Sequence, residues 1–293
     1  MSSSPQEITQ IVTESGISKA AKSFGSLFVL GILAGAYIAF ASEGSTMAAF
    51  NLLAVPNTYG LGRCLAGAIF PGGLMLVIIA GGELFTGNTM MLLPLAKRKI
   101  TLAALLRNWS IVYTGNFIGS VFVAYLIYCS GQLHAGNDIL KSVTIQIAAA
   151  KCHYSFSEAF CLGILCNWLV CLAVWMAAGA KDTTGKIFAV FFPIWLFITS
   201  GFEHSVANMY YIPAGLFALN TPFTTNFPSE AVMLYKDAFV IALNHSHIIQ
   251  TEMLPSLTWM NFFIANLIPV TLGNIVGGGI FTALAYGYCY RKA

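Results

Sequence analysis

Leu30-Gly31-Ile32-Leu33-Ala34-Gly35 is repeated as Leu162-Gly163-Ile164-Leu165-Cys166-Asn167. Further along, Glu83 with Asn88 recurs as Glu203 with Asn208, and Gly115-Asn116-Phe117-Ile118-Gly119 recurs as Gly273-Asn274-Ile275-Val276-Gly277. The signatures keep their order, and each half of the chain carries three apolar stretches. In lipid, an odd number of spans per repeat inverts the second half relative to the first. Pores and transporters built this way place their site where the halves meet.

Composition supports a membrane solvent. The 293 residues are 57% hydrophobic and 9% charged, against roughly 25% charged in soluble domains. The 27 glycines suit close helix packing in lipid. Cys161, Cys166 and Cys171 share no helical face, so neither a disulfide framework nor a metal site is expected from the seven cysteines. The first 25 residues are Ser-rich and lack the apolar core of a signal peptide. They read as a cytoplasmic amphipathic helix (Ile8, Ile11, Val12, Ile17) ahead of a single transmembrane domain, 26–293.

Six spans are expected. They lie near Ser26–Ala41, Cys64–Leu84, Leu105–Ser130, Phe156–Ala178, Ile187–Gly201 and Ile264–Tyr288. Repeat 1 then covers about 26–130 and repeat 2 about 156–288. Lys19, Lys22, Lys97, Arg98, Lys99, Arg107, Lys181, Lys186, Arg291 and Lys292 flank one side. Arg63, Lys141, Lys151 and Lys236 flank the other, so both termini are expected in the cytoplasm. A polar external loop at about 220–258 carries Glu230, Asp237, His245, His247 and Glu252, and reads most simply as a surface cap.

The second and fifth spans are interrupted at equivalent points, around Phe85-Thr86-Gly87 and around Glu203-His204-Ser205. Backbone leaves helical geometry at membrane depth only where it is buried in protein or lines a watery cavity. Paired breaks therefore mark the permeation site, with half-helix N-termini favouring an anion. Glu83 and Glu203, with Asn88 and Asn208, read as structural pins, or as proton relays. His204 has no copy, because Leu84 stands in the first half, so an asymmetric role falls to it: proton donor or anion ligand. Thr86 faces it and can donate from a neutral hydroxyl. Lys151, beside His153, is either a solvated loop lysine or part of a positive ring at the mouth. The Gly-Asn-x-x-Gly copies read as helix-packing faces. Phe70, Leu74, Leu84, Phe85, Val170 and Phe197 are candidate pore rings that would exclude water and charge.

The strings Gly82–Asn88, Cys166–Trp175, Gly201–Met209 and Asn266–Asn274 resemble the formate/nitrite transporter family over nearly the whole chain. The resemblance implies an all-α, aquaporin-like fold of six transmembrane helices in two inverted three-helix repeats, with helices 2 and 5 broken. It implies a homopentamer, one pore per subunit, in a bacterial inner membrane. It also implies passage of formate, nitrite, hydrosulfide or lactate, or their acids with protons. Carried over by motif, the central histidine is His204, the broken-helix threonine Thr86, the vestibule lysine Lys151 and a pore asparagine Asn167. The constriction falls on Phe70, Leu74, Leu84, Phe85, Val170 and Phe197. The Lys151-Cys152-His153 string leans toward formate-type members, whereas Gly87-Asn88 departs from the Ser-Thr of some formate channels.

The expected mechanism is attraction of an anion by Lys151, its neutralisation near Thr86 and His204, and passage of the neutral acid across the apolar rings. A nitrite or hydrosulfide channel is the alternative, and a water or neutral-solute pore a weaker one, since the paired Asn-Pro-Ala motifs are missing. No nucleophile–base pair or cofactor loop appears, so neither an enzyme, nor a cofactor, nor a nucleic-acid partner is expected.

Overall fold

The computed structural model describes residues 2–221 and 251–291, and these form an all-helical body. Helix α1 spans Pro5–Ala21, α2 Phe24–Leu53 and α3 Pro56–Gly81. After a break, α4 begins at Phe85–Asn88 and continues through Thr89–Met91 and Leu92–Ala96. Then come α5 (Leu102–Ser130), α6 (Ile139–His153), α7 (Phe156–Gly179) and α8 (Thr183–Ser200). A second break precedes α9 (Ser205–Leu219), and α10 spans Trp259–Cys289. Helices α2, α3, α5, α7, α8 and α10 are long and apolar enough to cross a membrane. The chain is an integral membrane protein.

The six expected spans match these helices, with α2 twelve residues longer at its C-terminal end than the hydropathy suggests. Its extra turns carry Ser42, Glu43, Ser45 and Thr46, which lower the apolar signal but are buried by neighbouring helices. The expected loop lies largely outside the described residues, including Glu230, Lys236, Asp237, His245 and His247. The side chain of Glu252, and Lys292, also lie outside them.

Helix starts follow local chemistry. Ser23 caps α2, Thr101 caps α5, and Ser155 with Glu158 forms a capping box at α7. The two breaks share one design. Helix α3 ends at Gly81 (φ 99°) and Gly201 (φ 79°) caps the C-terminus of α8, both in the left-handed region where a side chain would be strained. Each glycine leads into an extended segment, 82–84 and 202–204. The first break therefore precedes Phe85-Thr86-Gly87, where the sequence places it: these residues already form the first turn of α4. The second break likewise ends one residue earlier than expected, since Ser205 opens α9.

The repeated signatures of the sequence lock these breaks together. The Glu83 N–H donates to Leu30 O at 3.1 Å, and the Glu203 N–H to Leu162 O at 3.2 Å. Asn116 Oδ1 accepts from the Phe85 N–H, and Asn274 Oδ1 from the Ser205 N–H, each at 2.9 Å. The amide of Asn116 donates to Gly31 O and Glu83 O, while that of Asn274 donates to Gly163 O and Glu203 O. Both asparagines thus supply the donors and acceptors that non-helical backbone loses at membrane depth.

Glycines set the spacing of the paired helices. A Cβ on Gly119 would stand 2.0 Å from Ile32 O, and one on Gly277 2.2 Å from Ile164 O. Gly119→Ala is expected to destabilise the protein by roughly 2–3 kcal/mol through overpacking against backbone. Gly25→Ala meets nothing within 4 Å and is expected to be neutral. Thermal unfolding of the two variants in detergent checks this, and equal melting temperatures would refute the close approach.

Candidate functional site

Two cavities of about 420 Å³ each open toward the breaks from opposite sides. The first lies under α1 and is lined by Lys19, Lys22, Leu74, Glu83 and Leu84. The second lies beside α6 and is lined by Arg63, Lys151, Tyr154, Phe197, Glu203 and His204.

His204, in the lining of the second cavity, makes one polar contact with Thr86, which lines neither cavity. Thr86 Oγ1 and His204 Nε2 are 2.9 Å apart and both residues are buried. His204 is also the N-cap of α9, its Nδ1 accepting the Ala207 N–H at 3.0 Å. A nitrogen that accepts a backbone N–H carries no proton, so the neutral ring carries its hydrogen on Nε2 and donates to Thr86. The Thr86 hydroxyl hydrogen is then available to an anion. The repeat breaks at both positions: His204 corresponds to Leu84, which offers no side-chain cap, and Thr86 corresponds to Val206.

The two glutamates sit in matching networks. Glu83 accepts from Lys19 and Lys22 at 2.7 Å each and from Asn88 at 2.8 Å. Glu203 accepts from Lys151 and Asn208, both at 2.6 Å, and from Asn266 at 3.3 Å. Asn88 donates to Asn108 and Asn208 donates to Asn266, each at 2.8 Å. Asn108 closes the first network on Lys19 O, and Asn266 closes the second on Lys151 O. Lys19 and Lys151 are therefore equivalent, and α1 and α6 are equivalent elements ahead of the three-span units.

Lys151 is thus neither a solvated loop lysine nor a free ring cation. It lies on α6, its side chain is 14% exposed, and it is spent on Glu203. His153 turns instead to Ser256 at the surface. The sequence carries the missed signal: Lys19-Ala20-Ala21-Lys22-Ser23-Phe24 parallels Lys151-Cys152-His153-Tyr154-Ser155-Phe156. In α1, Ile8 and Val12 pack with Met90, Leu93, Trp175 and Ala283, whereas Ile11 and Ile17 are exposed.

The apolar candidates divide. Leu74 and Leu84 line the first cavity and Phe197 the second. Phe70 meets Phe197 edge-on at 5.5 Å, and both are buried. Phe85 turns away, edge-on to Tyr113 at 4.9 Å and Trp109 at 5.7 Å on α5. Val170 is buried on α7 and lines neither cavity. Asn167 is also buried outside both cavities, where its amide donates to Thr86 O, Thr89 Oγ1 and Asn274 O. It positions the Thr86 turn. In the second cavity, burial pushes the Tyr154 hydroxyl up to about 12, which keeps it a neutral donor. Glu43 of α2 is a buried carboxyl that accepts from Tyr210.

Inverted halves, paired broken helices and opposed cavities define a membrane channel or transporter. A family model described as formate/nitrite transporter matches residues 6–288. The chain belongs to the formate/nitrite transporter family, whose members are channels and transporters rather than enzymes. It is 38% identical over 290 residues to a protein of Bacillus thuringiensis named formate channel BtFdhC, covering 98% of this chain and 96% of that one. It is 35% identical over 288 residues to the formate channel FocA of Escherichia coli K12, covering 98% and 94%. A solved structure described as a pentameric formate channel with formate bound superposes with a TM-score of 0.72 at 34% identity, covering 92% of this chain and 98% of that one. Another, an FNT family ion channel, gives 0.74 at 30%, covering 97% and 98%.

Proposed function

We propose that this protein is a homopentameric channel for small monovalent anions, formate foremost, which cross as the neutral acid. The observation that carries this reading is the buried Thr86–His204 contact behind the second of two positively lined cavities. Removing a bare charge from water is prohibitive, so the permeant neutralises at the apolar barrier. Leu74, Leu84, Phe70 and Phe197 form that barrier. The cap on Nδ1 makes His204 a donor in its resting state, so the proton reaches the anion through water from the vestibule. His204 and Thr86 hold the carboxyl while the proton is taken up.

The relatives named as formate channels, and the pentameric, formate-bound neighbour, support the substrate and the assembly. The distribution of basic residues supports cytoplasmic termini, with the α1 cavity facing inward, and the bacterial relatives support a bacterial inner membrane.

Stopped-flow flux through proteoliposomes with formate, nitrite, hydrosulfide and lactate tests this. Above the pKa of a carboxylic acid its neutral fraction rises about tenfold for each pH unit of acidification, so formate uptake is expected to rise by a similar factor. A rate that ignores pH rejects the neutral-acid step. Preference for nitrite or hydrosulfide replaces formate as substrate, and swelling without any of these anions would point to a neutral-solute pore.

A further inference from the structure

Each cavity is lined by one carboxylate and two cations, but the two sides are wired differently. Under α1, both Lys19 and Lys22 end on Glu83. On the opposite side Lys151 alone reaches Glu203. The second cation there, Arg63 of α3, pairs with no carboxylate among the described residues. Its Nη2 donates to Ile198 O, and its Nε to Thr199 O at 3.5 Å. These carbonyls belong to the last turn of α8, the negative end of that helix dipole. They hold the guanidinium beside Gly201, whose Cβ position lies 3.2 Å from Nη2. Nη1 makes no hydrogen bond among the described residues, and Arg63 lines the cavity that ends at His204.

Lys151 and Glu203 cancel, so the net positive charge of this vestibule rests on Arg63. We propose that Arg63 is the anion-docking and selectivity residue of this vestibule, taking a small planar oxyanion before it passes to Thr86 and His204. The inference rests on the anion-channel reading above. A fixed, planar fork of N–H donors matches a carboxylate or nitrite better than it matches a single-atom or spherical anion such as hydrosulfide or chloride. The α8 carbonyls that orient the guanidinium leave it charged, because they are neutral acceptors.

Flux is measured in proteoliposomes for the wild type, Arg63→Gln and Arg63→Lys, over a range of formate concentration and ionic strength. A lost hydrogen bond to a charged group corresponds to about a tenfold weaker association, so Arg63→Gln is expected to raise half-saturating formate about tenfold. Its maximal flux should change little, and the salt dependence of the wild type should be lost. Arg63→Lys should keep the salt dependence but lower the ratio of formate to hydrosulfide flux. Unchanged half-saturation and salt dependence in Arg63→Gln would overturn the assignment. So would a fall in maximal flux and melting temperature alone, which would make Arg63 a strut for α8.

Binding of 13C-formate to the detergent-solubilised protein, followed by saturation-transfer NMR, separates this proposal from the channel reading. A wild type that binds formate through Arg63 but does not pass it would reject the channel reading and retain the docking site. Binding that is equal in wild type and Arg63→Gln rejects the docking site whatever the flux.

Discussion

His204→Leu is expected to lower formate flux by about 10- to 100-fold, the cost of losing a buried hydrogen bond that holds a charged carboxylate. The substitution removes the Nε2 donor that faces Thr86 at 2.9 Å and the Nδ1 acceptor that caps α9. Thr86→Val keeps the shape and removes the hydroxyl, so a fall of similar size is expected. The two residues form one hydrogen-bonded unit, and groups that act as a unit are strongly non-additive. The double variant should therefore be little worse than either single one. Proteoliposome flux of the three variants decides it. Multiplying losses would mean that the two side chains act separately, and undiminished flux in His204→Leu would remove the histidine from the mechanism. Stability should fall less than flux, because a helix cap contributes only about 1 kcal/mol.

Lys151→Met is expected to destabilise the fold by about 3–5 kcal/mol, the cost of stranding one partner of a buried ion pair. Glu203 would keep only Asn208 and Asn266 as donors. Lys19→Met should be milder, because Glu83 retains Lys22 at 2.7 Å and the Lys19 side chain is 26% exposed. Adding Glu203→Gln to Lys151→Met removes the stranded charge and should recover most of the loss. Unfolding of the purified variants in detergent gives the order directly. If Lys151→Met melts with Lys19→Met, the two networks are energetically alike and the reading of Lys151 as a structural counterion fails. A merely electrostatic lysine in solvent would change flux and leave the melting temperature untouched.

The spans and the paired breaks were legible because hydropathy and left-handed glycines are local properties. Gly81 and Gly201 end helices wherever the rest of the chain goes. The contrast of His204 with Leu84 was legible for a related reason: repetition supplies its own control, so a departure stands out. The lysine networks were not read, because Lys19 and Lys151 lie far along the chain from Glu83 and Glu203, and charge counts gave them only a side of the membrane. Asn108, like Glu43, carries no local pattern that names its partner. Phe85 misled for a geometric reason. It follows the break directly, but the first turn of α4 rotates its ring toward Trp109 and Tyr113, while Thr86 next to it meets His204.

The interlocked signatures bear on how such a chain is made. The joints that satisfy each break close within one half: Leu30 and Gly31 with Glu83 and Asn116 in the first, Leu162 and Gly163 with Glu203 and Asn274 in the second. A half emerging from the ribosome can thus bury its irregular backbone before the other half exists, which suits N-terminal-first insertion. Thr86 gains its histidine only when the later half docks. The route across the bilayer is completed last, after the seal around each broken helix has formed, so a half-finished chain does not present the assembled pathway to the membrane.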